Sequence, residues 1–291
     1  MSEIRSAAMV VNAQSRKGQA LFEQARGHCD TLPFPVDCHA VEDPAKLDEV
    51  VKRALAQRPD LMILGGGDGT ISGLVDHLVG TQTALGVLPL GTANSFARTL
   101  GIPVDVAGAF AVIAGGVRRR IDLGMIDDDY FANGAAIGIA PRIAQSVPHA
   151  LKKYLGRAGY LGWAAWEFLH FKPFTLIVGE GADAKRLAVV EVRISNGPYH
   201  GGTEVNEQAE VDNGMIVVQA VTGHARSRLL KNWAASVLRL DARHETVEHF
   251  AGTELRIATE PPMAISIDGE LLARTPVTAR VAAGVIEVLV P

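Results

Sequence analysis

The sequence reads Leu61-Met62-Ile63-Leu64-Gly65-Gly66-Gly67-Asp68-Gly69-Thr70, an uninterrupted apolar run followed at once by a glycine-rich turn. Four consecutive apolar residues without alternation predict a strand covered by helices on both faces, as in a parallel sheet. A helix is expected to follow from about Thr70 to Val79. Glycines at such a junction let backbone amides approach an anion closely, and a helix N-terminus adds about half a positive charge. The segment therefore predicts a phosphate-binding loop.

Asp68 is the unexpected member of this loop, because a carboxylate beside phosphates repels them unless a divalent cation lies between. We therefore predict Mg²⁺ here. The loop is not a P-loop, since no Lys-Ser/Thr pair follows it, and it lacks the G-x-G-x-x-G spacing of dinucleotide folds. The alternative is that the three glycines form only a tight turn and that Asp68 caps the helix.

A second loop has the same strand, turn and helix order. It reads Leu88-Pro89-Leu90-Gly91-Thr92-Ala93-Asn94-Ser95-Phe96-Ala97-Arg98. Loops of this kind lie at the carboxyl ends of parallel strands, so the two loops should face each other across a crevice. Together they could surround a nucleotide.

The chain around these loops has two parts that differ in their pattern of apolar residues and turns. Residues 1–123 alternate apolar strands with amphipathic helices and predict a parallel-sheet α/β nucleotide-binding domain. Residues 124–291 contain many strand-like segments punctuated by turns, which predict an antiparallel β-sandwich with two inserted helices, at about 150–171 and 226–240. The expected fold class is α/β with two domains and a ligand cleft between them.

Composition restricts the class of protein. The chain has 291 residues, a formal charge of −4 and two cysteines, Cys29 and Cys38. Their spacing matches neither a disulfide framework nor a zinc knuckle, so we expect free thiols in a reducing cytoplasm. No apolar stretch approaches the roughly 20 residues of a membrane-spanning helix, and any membrane contact should be peripheral. The net charge predicts no nucleic acid partner.

The two loops together resemble the diacylglycerol-kinase catalytic-domain family of lipid kinases, which shares its nucleotide fold with NAD kinases and phosphofructokinases. The family motifs G-G-D-G-T and P-x-G-T-x-N-x-F-A-R occur as Gly66 to Thr70 and Pro89 to Arg98. Asn12 resembles the asparagine that begins the family's first nucleotide loop, although the usual Asn-Pro is here Asn12-Ala13. The resemblance extends over nearly the whole chain.

The resemblance implies ATP as phosphoryl donor, a lipid acceptor at a membrane surface, and specific roles for residues. Asp68 would lie near the phosphates and metal, and Glu270 would be the catalytic base. Without the resemblance, Asp268-Gly269 predicts a type I′ hairpin turn, and Glu270 would be an ordinary exposed residue. The implied nucleotide-binding residues are Asn12, Gly65, Gly66, Gly67, Asp68, Gly69, Thr70, Ile71, Ser72, Gly73, Gly91, Thr92 and Asn94.

A second implied feature is a structural Mg²⁺ in the C-terminal half, which the family holds with a turn of the type A-x-x-D-D-G-x-L. The corresponding residues here run from Ala209 to Met215, and the implied ligands are Glu210, Asn213 and Met215. Asn213 stands where the family has an aspartate, and amide oxygens bind Mg²⁺ less strongly than carboxylates. The alternative is a hairpin turn that binds no metal.

Other departures from the family leave alternatives open. The family's Asn-Glu is here Ser72-Gly73, and its aspartate after Thr-x-Asn is Ser95. One alternative is an NAD kinase-like phosphotransferase, which the Pro89 to Arg98 motif and Asp268-Gly269-Glu270 disfavour. The other is a catalytically weak protein that binds nucleotide or lipid as a sensor. A homodimer is also left open.

Two weaker signals concern the membrane. Arg118, Arg119 and Arg120, with Lys152, Lys153 and Arg157, could attract anionic headgroups or could simply form a solvated face. The aromatic stretch from Ala150 to Phe171 could lie at a membrane interface or cover the sandwich.

Overall fold

The computed structural model describes residues 4–146, 162–163, 166–223 and 247–291. Its α-helices are α1 (Arg16–Cys29), α2 (Leu47–Leu55), α3 (Asp68–Val75), α4 (Ser95–Thr99), α5 (Val106–Gly115) and α6 (Ile139–Ser146), and residues 166–170 are also helical. The first five of these helices belong to the N-terminal half of the chain, and α6 follows in the C-terminal half.

The strands alternate with these helices in the N-terminal half and follow one another in the C-terminal half. They are β1 (Ala7–Asn12), β2 (Val36–Val41), β3 (Leu61–Gly66), β4 (Ala84–Pro89), β5 (Val117–Ile126), β6 (Asp129–Phe131), β7 (Gly134–Gly138), β8 (Phe174–Val178), β9 (Lys185–Ser195), β10 (Tyr199–His200), β11 (Thr203–Glu204), β12 (Ile216–Thr222), β13 (Val247–Gly252), β14 (Glu254–Glu260), β15 (Ala264–Ile267), β16 (Glu270–Arg274) and β17 (Val277–Val290).

The N-terminal half is the predicted parallel α/β unit. β1 pairs in parallel with β2 and β3, and β3 pairs in parallel with β4. Every residue of β3 and β4 is buried, as expected for strands with helices on both faces. Both glycine-rich loops therefore leave the same edge of the sheet, side by side.

The C-terminal half is the predicted antiparallel β region. β7, β8 and β12 all pair antiparallel with β9, and β14 pairs antiparallel with β8. Its apolar side chains form a core separate from that of the α/β half. The predicted fold class is confirmed.

The C-terminal strand joins the two halves. β17 pairs antiparallel with β14 and β5, and near its end it runs parallel to β4 with Val288 opposite Leu85. Val288 belongs to the core of the α/β half, whereas Val277 at the start of β17 belongs to the β core. One sheet thus runs through both halves, and the division at residues 123 and 124 stays a prediction.

The sequence predicts one strand from Tyr130 to Ala140, and this prediction is wrong in detail. The segment contains β6 and β7, separated by Ala132 and Asn133, and it turns into α6 after Gly138, whose φ is +136°. The backbone amides of Ala132 and Asn133 donate to the carboxylate of Asp268 instead of to a neighbouring strand. That contact breaks the strand beside the site described below.

The basic cluster of β5 is engaged within the protein. Arg118 and Arg120 form ion pairs with Glu287, at 3.2 and 3.4 Å, and Arg119 pairs with Asp212. The other cations proposed for this cluster, Lys152, Lys153 and Arg157, lie outside the described residues, as does the predicted helix at 226–240.

Within the predicted helix from 150 to 171, the structure describes residues 162–163 and 166–171. The backbone is helical at 162–163 and 166–170, and the helix ends before Phe171. Within the described part of the chain, no helix combines the length and apolar character needed to cross a membrane.

Candidate active site

The two glycine-rich loops contact each other through their backbones. A Cβ atom at Gly91 would lie 2.6 Å from the Cα of Gly67, and one at Gly66 would lie 2.6 Å from the Thr70 side chain. The Leu90 amide also donates to the Gly66 carbonyl at 2.9 Å. A side chain at position 91 would overlap the Gly67 backbone, and one at position 66 would overlap the Thr70 side chain, so glycine suits both positions.

Asn12 closes one side of these loops. Its Nδ2 donates to the Thr70 hydroxyl at 3.2 Å, and its Oδ1 accepts from the Gln14 amide. A cleft of about 190 Å³ lies beside this contact. Its lining residues are Asn12, Gln14, Ser15, Gly18, Leu21, Gly66, Gly67 and Leu90. Three of the residues predicted to bind nucleotide therefore line one small cleft.

The N-terminus of α3 is open toward this cleft. Gly67 is its N-cap and offers no side chain to accept from the first amides of the helix. The first amide bonded within this turn is that of Ile71, which donates to the Gly67 carbonyl at 3.0 Å. Uncapped amides and the positive end of the helix dipole form a site for an anion.

Asp268 lies against the other side of α3, in the turn between β15 and β16. Its Oδ2 accepts from the Ser72 hydroxyl and from the amides of Ala132 and Asn133 at 3.0 and 3.3 Å, and its Oδ1 accepts from the Gly134 amide at 3.0 Å. Removal from water raises the pKa of Asp268, and the hydrogen bonds from Ser72 and the amides oppose that rise. One carboxylate thus joins α3, β15 and the start of β7.

The same turn leads into Glu270. Asp268 and Gly269 both have positive φ, at 44° and 99°, and Ile267 pairs with Glu270 across the turn. These values confirm the predicted type I′ hairpin. The Asp268 carbonyl lies 3.7 Å from the position of a Cβ on Gly69. Glu270 is exposed at the start of β16, next to the first turn of α3.

The Asp68 side chain links the first glycine-rich loop to α4, which follows the second loop. Its Oδ1 accepts from the Phe96 amide of α4 at 3.1 Å and from Asn133 Nδ2 at 3.5 Å. Within the described part of the chain, no hydrogen bond reaches its Oδ2, and the buried Oδ1 of Asn133 has no partner. A carboxylate oxygen and an amide oxygen of this kind suit Mg²⁺, which proteins often hold with one or two carboxylates and the substrate's phosphates.

The remaining residues predicted to bind nucleotide differ in their burial and in their contacts. The Ile71 side chain is buried in the core, while Gly73 and Thr92 are exposed. Both polar groups of the Asn94 side chain bond to the Gly91 backbone, at 2.9 and 3.1 Å, so this side chain holds the loop in shape. Contact of these residues with a nucleotide stays a prediction.

The residues predicted to hold a structural Mg²⁺ lie in the segment before β12. Asn213 Oδ1 accepts from the Met215 amide at 3.0 Å, Glu210 is exposed, and the neighbouring Asp212 forms an ion pair with Arg119. No cluster of three histidine, cysteine, aspartate or glutamate side chains suited to a metal occurs among the described residues. Binding of Mg²⁺ by Glu210, Asn213 and Met215 stays a prediction.

Sequence reasoning missed Asn133 and His200. Asn133 sits between Asp68 and Asp268, and the dipeptide Asn133-Gly134 inside an apolar run is a turn signal that could have revealed it. His200, in β10, has its pKa lowered mainly by burial and also by the charge of Arg193. No sequence pattern points to His200.

The contact between the loops gives a testable prediction. We expect Gly91→Ala to lower the free energy of unfolding by about 1–3 kcal/mol, because the new methyl group overlaps the Gly67 backbone. Denaturant unfolding measures this change. Gly115→Ala is the matched control, since a Cβ there has no atom within 4 Å. Equal stability of the two variants would contradict the close approach of the loops.

Comparison with known proteins shows which family models this chain matches. Residues 6–126 match the family model described as the diacylglycerol kinase catalytic domain. Residues 133–290 match the model described as the YegS C-terminal NAD kinase beta sandwich-like domain. The two matches together span nearly the whole chain, in the order of its two cores.

Individual relatives agree with the family models. A probable lipid kinase YegS-like protein of Klebsiella pneumoniae strain 342 is 32% identical over 82% of this chain and 81% of its own length. The diacylglycerol kinase of Bacillus subtilis strain 168 is 38% identical over 48% of this chain and 45% of its own length. A crystal structure of a putative diacylglycerol kinase from Bacillus anthracis strain Sterne superposes with a TM-score of 0.80, at 20% identity, covering 100% of this chain and 99% of that one.

Proposed function

Because the chain belongs to the diacylglycerol-kinase catalytic-domain family of lipid kinases, we propose that it transfers the γ-phosphoryl group of ATP to the hydroxyl of a glycerolipid such as diacylglycerol. One observation carries the proposal. The turn with Glu270 is fixed to α3, whose open N-terminus faces the nucleotide cleft, by the hydrogen bonds of Asp268. This arrangement supports a phosphate site close to a carboxylate that can accept a proton.

The donor side uses backbone groups. The uncapped amides of α3 bind the phosphates, and Asn12 and Gly67 form the wall of the cleft. Asp68 Oδ2 and Asn133 Oδ1 would hold Mg²⁺. When bound, the metal neutralises charge on the transferring phosphoryl group. Phosphoryl transfer needs little else from the protein beyond positioning.

The acceptor side uses Glu270. Its carboxylate takes the proton from the lipid hydroxyl as the oxygen attacks the γ-phosphorus, and the bond from that phosphorus to the bridging oxygen breaks to release ADP. Glu270 is exposed, so a hydroxyl can approach it from a membrane surface. Asp268 does not contact the substrate in this mechanism, and its role is to hold the turn in place.

We place the lipid chains in a second cleft, which lies at the opposite end of β16 from Glu270. An open cleft of about 530 Å³ is lined by apolar residues that include Phe171, Phe174 and Met263, and by the cations Lys172 and Arg274. Arg274 ends β16, which begins at Glu270. Four strand steps span about 13 Å, which is within the reach of an acyl chain whose glycerol hydroxyl lies at Glu270. The cations suit an anionic membrane surface.

The function is tested by incubating labelled ATP with a panel of lipids in mixed micelles, with NAD in a parallel reaction. We expect the label in a glycerolipid. Label in NAD alone would support an NAD kinase-like enzyme. Thermal stabilisation by ATP and Mg²⁺ without transfer to any acceptor would support a sensor, and saturating ligand at about a hundred times its Kd should contribute about 2.7 kcal/mol.

Membrane contact gives a further prediction. Leu272 in β16 is 56% exposed beside this cleft, so burying it in lipid should favour binding by about 1.5–3 kcal/mol. We expect Leu272→Asp to lower transfer to lipids in vesicles by about tenfold or more, without lowering transfer to a dispersed short-chain acceptor. Val104→Asp is the control, because Val104 is 42% exposed in the α/β half. An equal loss with both acceptors would argue against membrane contact through this strand.

A further inference from the structure

The two cysteines come together although their spacing suggests no bridge. Cys29 is the last residue of α1, and Cys38 lies in β2 opposite Met9 of β1. Their sulfur atoms are 3.6 Å apart, and the Cys29 sulfur is also 3.8 Å from that of Met9. Both cysteines are free thiols. Packing of α1 on the edge of the sheet thus creates a dithiol.

The two thiols have different electrostatic environments. The pKa of Cys38 is lowered, first by its hydrogen bond with Cys29 and then by the positive charge of Arg26. The same hydrogen bond and burial raise the pKa of Cys29. Because the thiolate is the reactive form of cysteine, the lowered pKa of Cys38 favours it as the nucleophile of the pair.

The pair is accessible from solvent. An open cleft of about 730 Å³ is lined by Arg26, Cys29, Phe34 and Cys38, among other residues of this edge. Cys38 is partly exposed and Cys29 is buried. A small oxidant can therefore reach Cys38 first, while Cys29 lies directly behind it.

We propose that Cys29 and Cys38 form a redox-active dithiol that a peroxide converts to an intramolecular disulfide between α1 and β2. The Cys38 thiolate attacks one oxygen of hydrogen peroxide, the O–O bond breaks, and the released hydroxide takes up a proton to become water. The sulfur of Cys29 then loses its proton and attacks the sulfenic sulfur of Cys38, and the S–O bond breaks to release a second water. Two thiols are oxidised and one peroxide is reduced.

The test is intact-mass analysis of the full chain after treatment with hydrogen peroxide and alkylation under denaturing conditions. The untreated protein should take up two alkyl groups. The treated protein should take up none, weigh two hydrogens less, and regain both alkylation sites after reduction by dithiothreitol. Persistence of both thiols, or their loss to a disulfide-linked dimer, would overturn the proposal. Phosphoryl transfer is not measured, so the result is independent of the proposed function.

Single variants test the two roles. In Cys29→Ser, Cys38 should still be oxidised, and its sulfenic acid should be trapped by dimedone because no second thiol resolves it. In Cys38→Ser, Cys29 should react about tenfold more slowly, since it is buried. Equal rates in the two variants would overturn the assignment of Cys38 as nucleophile. If either variant folds poorly, the mass measurement on the wild-type protein still shows whether the disulfide forms.

Discussion

Glu270→Gln should lower kcat for phosphoryl transfer to the lipid by about 10²- to 10⁴-fold, the range that general bases contribute. The amide keeps the size and the hydrogen-bonding capacity of the side chain but cannot take the proton from the attacking hydroxyl. Glu270 is exposed at the start of β16, so the fold should be unchanged. Labelled ATP and the preferred lipid measure the rate, and thermal stabilisation by ATP should match that of the wild type.

Glu254→Gln is the matched control for this variant. Glu254 is also an exposed glutamate at the first position of a strand, β14, in the same half of the protein. We expect it to keep wild-type kcat. If Glu270→Gln is as active as this control, another group takes the proton and the role assigned to Glu270 is wrong, even though the enzyme remains a kinase.

Asp268→Ala should have the largest effect on stability. It removes the acceptor of the Asn133 and Gly134 amides and of the Ser72 hydroxyl. Each buried donor left without a partner lowers stability by about 1–3 kcal/mol, so we expect a loss of about 3 kcal/mol or more in the free energy of unfolding, measured in urea. Transfer should fall as well, because the turn no longer positions Glu270. The double variant with Glu270→Gln should then be no slower than Glu270→Gln alone.

Asp127→Ala is the control for the cost of placing alanine at a turn position with positive φ. Asp127 also occupies a hairpin turn at positive φ, 52°, but its carboxylate accepts one exposed hydrogen bond, from the Thr278 amide. The free energy of unfolding should therefore fall much less in Asp127→Ala than in Asp268→Ala. Asp268→Asn keeps a residue type that tolerates positive φ and one acceptor oxygen, so it should fall between the two. A similar loss for Asp127→Ala and Asp268→Ala would show that the Asp268 contacts are not what stabilises the site.

Much of the structure around the two glycine-rich loops was predictable from local sequence. The apolar run at β3 and the glycines of both loops predicted the strand, turn and helix order that the structure has. The turn at Asp268 was also predicted, because a two-residue Asp-Gly loop has a strong local preference for positive φ. The role of Ser72 was not predicted. Its hydroxyl reaches Asp268 across 196 positions of sequence, a distance over which no periodic pattern carries information.

The sequence by itself thus determined the fold class, the two glycine loops and the family, because buried strands, helix faces and turns are selected by interactions between near neighbours in the chain. Only the tertiary structure decided which distant groups meet. It paired β17 with β4 across both cores, placed Asp268 against α3, and brought Cys29 within 3.6 Å of Cys38. The physical reason is that these contacts come from the packing of whole elements, which satisfies buried polar groups wherever a partner lies.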